Sequence, residues 1–166
     1  MIDLGVHDPC ICQNYKNELD QCVDAYTVRE GGKSVKLIPY KKESAMTIIL
    51  DGCVMQDNET KCDALFLYAK ENRKFSFLVE LKGAGDLPKA FEQLGYTRHY
   101  RQEYSEIIQK LNELPGNKAK ELFVIVSNGQ MTKPEQERLE NEHRVRVKKI
   151  LYCEGNAKIP DLRETI

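Results

Sequence analysis

The stretch Phe75-Ser76-Phe77-Leu78-Val79-Glu80-Leu81-Lys82 decides how this chain is read. Side chains of a strand alternate between its two faces, so Phe75, Phe77, Val79 and Leu81 share an apolar side while Glu80 and Lys82 meet on the other. A strand end reaching solvent would explain such a pair, and there it contributes under about 1 kcal/mol. Asp63 argues for more. It opens the preceding apolar stretch Cys62-Asp63-Ala64-Leu65-Phe66-Leu67, where an unpaired carboxylate is costly to bury. Lys61 to Ala69 and Phe75 to Lys82 read as two strands of one hairpin across the charged turn Lys70 to Lys74, which brings Asp63 towards Glu80.

Working outward, Met46 to Met55 is rich in Ile, Val and Thr and reads as a strand ahead of the turn Gln56 to Glu59. Together the three strands make an antiparallel meander. Asp51-Gly52 marks a bend or bulge within it, with Asp51 a spare carboxylate. Further upstream, Lys33 to Ile38 is a short strand closed by Pro39. Before Gly31-Gly32, Tyr15, Leu19, Cys22, Val23 and Tyr26 fall at helical spacing and predict an amphipathic first helix over Gln13 to Val28.

Downstream, Asp86 stands at an N-cap, Pro88 in the first turn, and an apolar face predicts one long helix to about Leu114. Pro115-Gly116 ends it. Leu122 to Val126 is a continuous apolar run, as a strand in the sheet centre would be. Thr132 caps a short helix opened by Pro134, Val145 to Tyr152 alternates as a last strand, and the tail from Gly155 reads as loose. This order predicts an α/β fold with a mixed central sheet flanked by helices, one domain over 1–166.

The 41% hydrophobic and 31% charged residues suit a soluble globular protein, and no segment approaches the roughly 18 apolar residues of a membrane span. The opening MIDLGVHDPC carries no secretion signature, so the expected location is cytoplasmic, without a membrane role. There the six cysteines are expected to stay reduced. Cys10, Cys12 and Cys22 could bind zinc, or join Cys153 around an iron–sulfur centre, but their spacing does not match the usual paired knuckles. The net charge of −1 provides no overall field for nucleic acid. Local basic clusters exist at Arg98, His99 and Arg101 and at Arg144, Arg146, Lys148 and Lys149, each readable as a solvated surface.

Two carboxylates from neighbouring strands can converge on one hard divalent cation, Mg²⁺ or Mn²⁺, with the Leu81 backbone carbonyl as a further oxygen. Lys82 could then hold or deprotonate a metal-bound water and offset charge developing on a phosphate. Asp63, sixteen intervening residues, then Glu80-Leu81-Lys82 resembles the D-x(n)-(D/E)-x-K signature of the PD-(D/E)XK, restriction-endonuclease-like nuclease superfamily. The likeness runs from Gln13 to Tyr152 and is strongest to its small bacterial members. The family's proline is absent, because Lys61-Cys62 precedes Asp63.

The resemblance implies an αβββαβ core and a metal-dependent phosphodiesterase acting on DNA, an endo- or exodeoxyribonuclease with Mg²⁺ or Mn²⁺ as cofactor. Asp63, Glu80 and Lys82 would be catalytic, and Asp63, Glu80 and the Leu81 carbonyl would hold the metal. It implies DNA as partner and a homodimer able to cut both strands. Gln93 resembles the glutamine that several branches place near the metal, with Tyr96 and Tyr100 on the same side of its helix. The spacing Gln93-Leu94-Gly95-Tyr96 is one residue short of the RecB-like pattern. An acid on the first helix often completes such sites, and Glu18 and Glu43 are the candidates. The competing reading is an inactive or catalytically weak nuclease-fold protein serving as a binding module.

Overall fold

Alternating and continuous apolar runs pair here into two sheets. The computed structural model describes residues 1–155 and 157–166. A small antiparallel sheet has the order β1 (Cys22–Asp24), β2 (Thr27–Glu30), β3 (Lys33–Lys36). The main sheet has five strands in sequential order: β4 (Glu43–Ile49), β5 (Ala64–Lys70), β6 (Arg73–Lys82), β7 (Lys120–Ser127) and β8 (Val147–Tyr152). β4, β5 and β6 form the antiparallel meander, and β7 and β8 add in parallel. The crossover after β6 carries α1 (Leu87–Tyr100) and α2 (Gln102–Glu113), and the one after β7 carries α3 (Lys133–His143). Parallel crossovers are almost always right-handed, and two that advance in the same direction lay their helices on one face. Leu78 and Ile125 pack there with Phe91, Leu94, Ile108 and Leu139. Phe77, Val79 and Val124 pack on the other face with Val28 and Val35 of the small sheet.

The mixed α/β architecture, the meander and the βαβαβ continuation agree with the sequence reading, and four local expectations are corrected. First, Gln13 to Val28 is not a helix. Tyr15, a member of the supposed buried stripe, is 81% exposed, whereas Val28 is fully buried and pairs with Val35. The Asp24 carboxylate accepts the Tyr26 amide, an Asx turn that joins β1 to β2. A helical spacing of apolar residues was here the by-product of a hairpin. Second, the long helix breaks at Arg101, whose backbone is extended (φ −94°, ψ 110°). Its buried guanidinium reaches Asp57 and Glu103. Third, the run Leu122 to Val126 lies in β7, one strand from the edge, and β6 is the middle strand. Fourth, the tail is tied down: Leu162 and Thr165 are buried, the Lys36 amide donates to the Pro160 carbonyl, and Arg163 binds Glu43.

The cysteine expectation is corrected as well. Cys10 pairs with Cys53 and Cys12 with Cys22, at Cα–Cα separations of 5.7 and 5.5 Å. A short 3-10 helix over Gly5–Cys10 leads into Ile11-Cys12, which runs along β4 through the Ile11–Ile48 bridge, so Cys12 lies beside β1, and Cys10 beside the turn after β4. Disulfide sulfurs have no thiolate to offer a metal, so Cys10, Cys12 and Cys22 do not form a zinc or iron–sulfur centre in this state. Cys62 and Cys153 are free and buried. Among the described residues no helix is long and apolar enough to cross a membrane.

Candidate active site

The antiparallel register that pairs Ala64 with Val79 sets Asp63, just before β5, directly opposite Glu80. The two are laced crosswise. Glu80 Oε2 accepts the Asp63 amide at 3.1 Å, and Asp63 Oδ2 accepts the Leu81 amide at 2.9 Å. Strand geometry turns a residue's N–H and C=O to the same side, so the Leu81 carbonyl also faces Asp63. Lys82 Nζ lies 3.2 Å from Glu80 Oε1. Glu80 and Lys82 therefore share the helix-facing side of β6, as alternation predicts, and Asp63 joins them.

Burial gives this cluster its electrostatic character. Glu80 is 1% exposed, and its carboxyl is pushed well above the usual range, first by desolvation and then by the Asp63 charge, with Lys82 opposing. Asp63 is pushed up to about 6, first by desolvation, against the Leu81 amide that favours its ionised form. Glu30 and Asp51 add negative charge on Asp63, and Lys82 relieves part of it. Two acids held close in a poorly solvated place resist ionising together. A bound cation would remove that resistance.

Gln93 projects from α1 to the loop before Asp63, its Nε2 donating to the Lys61 carbonyl at 3.0 Å. Its Oε1 is buried without a protein partner. An open cavity of about 430 Å³ lies there, with Asp51, Lys61, Lys89 and Gln93 in its wall. Asp63, Glu80 and Lys82 do not line it; Lys61, two residues before Asp63, does. A groove of about 480 Å³ elsewhere runs past Asp8 and Leu19 and contains none of these groups.

The accessory-acid candidates are both corrected. Glu18 is exposed in the loop ahead of β1, because the helix meant to carry it does not form. Glu43 pairs with Lys70 across β4 and β5, six residues along the ladder from the Ile49–Ala64 pair. At about 3.4 Å per residue that is roughly 20 Å from the acids, and Glu43 is engaged by Arg163 and Lys70. Glu30 and Asp51 stand near Asp63 instead. Asp51 was legible as a spare carboxylate, but Glu30 ends β2, a strand read as the end of a helix. Among the described residues no three His, Cys, Asp or Glu side chains are gathered into a metal-binding group. Asp63, Glu80 and the Leu81 carbonyl could offer a cation two carboxylates and a carbonyl, hard oxygens of the kind Mg²⁺ or Mn²⁺ takes.

The basic clusters divide differently from their order in the chain. Arg101 is buried against Asp57 and Glu103, and Arg98 pairs with Glu121. His99 instead meets Arg144, whose carbonyl lies 2.8 Å from its Nε2. No family model, curated protein or solved structure matches the chain.

Proposed function

We propose that this chain is a metal-dependent phosphodiesterase of PD-(D/E)XK type acting on DNA, with its site at Asp63, Glu80 and Lys82. The crosswise lacing of Asp63 and Glu80 beside Lys82 is the observation that supports it most. The strand meander followed by α1, β7, α3 and β8 is compatible with the βββαβ part of such a core, although a small sheet stands where the leading helix belongs. Asp63 and Glu80, with the Leu81 carbonyl, would hold Mg²⁺ or Mn²⁺. When bound, such a cation supplies Lewis-acid polarisation of a phosphoryl oxygen and acidifies water. Lys82, released from Glu80, would donate to the phosphate as negative charge accumulates. Gln93, with a free buried oxygen towards the neighbouring cavity, would orient a water or a sugar-phosphate atom.

One observation favours the second reading, a binding module without turnover. Each acid already accepts a strand amide, and Glu80 also has Lys82, so the cluster is satisfied without a metal. Incubation of the purified protein with single-stranded, duplex and branched DNA, with and without Mg²⁺ or Mn²⁺, separates the two. Cleavage that needs the cation and is lost in both Asp63→Ala and Lys82→Ala supports the enzyme. Cleavage retained in both folded variants removes this site, and absence of cleavage on all three substrates leaves the binding module.

A homodimer that cuts both strands belongs to the same proposal and is read by light scattering with and without duplex. The two disulfides oppose the cytoplasmic location read from the sequence, because reducing compartments keep such pairs open. Alkylation of the protein at the moment of cell lysis decides it: six labelled thiols place it in the cytoplasm, two in an oxidising compartment.

A further inference from the structure

Lys89, Gln93, Tyr96 and Tyr100 follow one another along α1 at steps of four, three and four residues, which puts them on one face of the helix. At 1.5 Å per residue the stripe is about 16 Å long. Its first half lines the cavity beside the acid pair. Its second half is aromatic: the Tyr96 and Tyr100 rings lie 5.2 Å apart at 45°, and Tyr100 is 65% exposed. One exposed ring is ordinary on a protein surface, as Tyr15 and Tyr40 show, but here two tyrosine rings lie together on one helix face and line a small cavity.

The surroundings of these rings are built rather than incidental. Gly95 lets the end of α3 close onto α1, since a Cβ there would run into the His143 carbonyl oxygen. The next residue, Arg144, turns left-handed (φ 53°). It directs Nη2 to the Tyr100 hydroxyl at 3.1 Å and its carbonyl to His99. Among the described residues Arg144 has no carboxylate partner, and neither has Lys89. The acids nearby are Glu59, held by the Tyr96 hydroxyl, Glu142, paired with Arg138, and the exposed Glu92. One cation without an acid partner therefore touches the exposed Tyr100, and a second stands at the other end of the stripe, about 16 Å away.

We propose that this stripe is a track for a single-stranded nucleic-acid segment, with a base stacked on Tyr100 and phosphates held by Arg144 and Lys89, leading to the acid pair. Stacking needs an unpaired base, because the bases of a duplex already stack on each other. The substrate form named here rests on the phosphodiesterase reading, whereas the binding does not. The test is fluorescence anisotropy of a labelled short oligothymidylate and of a matched duplex, in EDTA at low and moderate salt. The single strand is expected to bind at least tenfold tighter than the duplex. Tyr100→Ala should weaken it about tenfold and Tyr100→Trp should not. Arg144→Gln should weaken it and reduce the slope of log affinity against log salt by about one. Equal binding of duplex and single strand overturns the proposal, as does wild-type affinity in Tyr100→Ala. An oligonucleotide that fails to bind at low salt overturns it too and leaves the face to a protein partner. Cation-dependent cleavage by the wild type is scored separately. Strand binding without cleavage sinks the enzyme reading alone, and cleavage without strand preference sinks the track alone.

Discussion

Asp63 and Glu80 stand opposite each other across the β5–β6 hairpin, and each carboxylate accepts an amide from the other's strand. The lacing holds two acids at a fixed separation where neither is well hydrated. Their protonation is therefore linked to folding.

The sign of that linkage is unusual for carboxylates. Asp63 goes from its ordinary value of 3.8 up to about 6 on folding, and Glu80 moves the same way. A raised folded value stabilises the protein fully below about pH 4, and the contribution is lost as pH rises through about 6. Thermal unfolding of the metal-free protein should show a component falling between pH 4 and 7 that Asp63→Asn lacks, on the order of a few kcal/mol. Superimposable pH profiles of wild type and variant would contradict it.

Added Mg²⁺ or Mn²⁺ should raise the melting temperature at pH 7.5 in wild type, because a ligand of the folded state stabilises by mass action. In Glu80→Gln the rise should vanish, and isothermal calorimetry should show no binding heat. A cation-induced shift of equal size in both proteins would place the ion elsewhere.

Arg101, only 4% exposed, donates to both Asp57 oxygens and to Glu103, and marks the break between α1 and α2. The carboxylates left behind by Arg101→Ala are 51% and 30% exposed and stay hydrated. The loss of stability read in urea unfolding should therefore be modest, that of the bonds and packing of one buried guanidinium rather than of a stranded buried charge. Arg101→Lys should recover little of it, because an ammonium cannot span both Asp57 oxygens as the planar fork does. Full rescue by lysine would show that charge alone matters there.

Gly95→Ala should cost about 1–3 kcal/mol, because the added methyl meets backbone at His143 rather than a yielding side chain. Urea unfolding measures the cost. An unchanged midpoint would mean that α1 and α3 are not in close contact.

Denatured without reductant, the protein should expose two titratable thiols, Cys62 and Cys153, and six after reduction. Opening Cys10–Cys53 by the double Cys→Ser variant should cost about 2–4 kcal/mol, as expected for a bond that closes a long loop. Six reactive thiols at the outset would refute the pairing.

From Glu43 to Tyr152 the pattern of residues alone determined most of the fold, because hydrophobic period and turn residues act over a few positions. β-branched runs, Pro115-Gly116 and the Thr132 cap are local instructions, and alternation along Phe75 to Lys82 already placed Glu80 and Lys82 together. What tertiary structure decided is non-local. Tyr15, Leu19 and Cys22 have helical spacing, yet pairing of Val28 with Val35 and the Cys12–Cys22 bond hold that segment extended. The break at Arg101 needs Asp57, 44 residues away. The charge of Glu30 acts on Asp63 only because the small sheet packs on the main one. Asp51 comes beside Asp63 through the pairing that continues β4 with β5, and Tyr100 meets Arg144 only because Gly95 admits α3. Local sequence specifies which way a side chain points along its own element. It cannot specify what stands opposite, since that depends on chain segments whose approach is decided by packing.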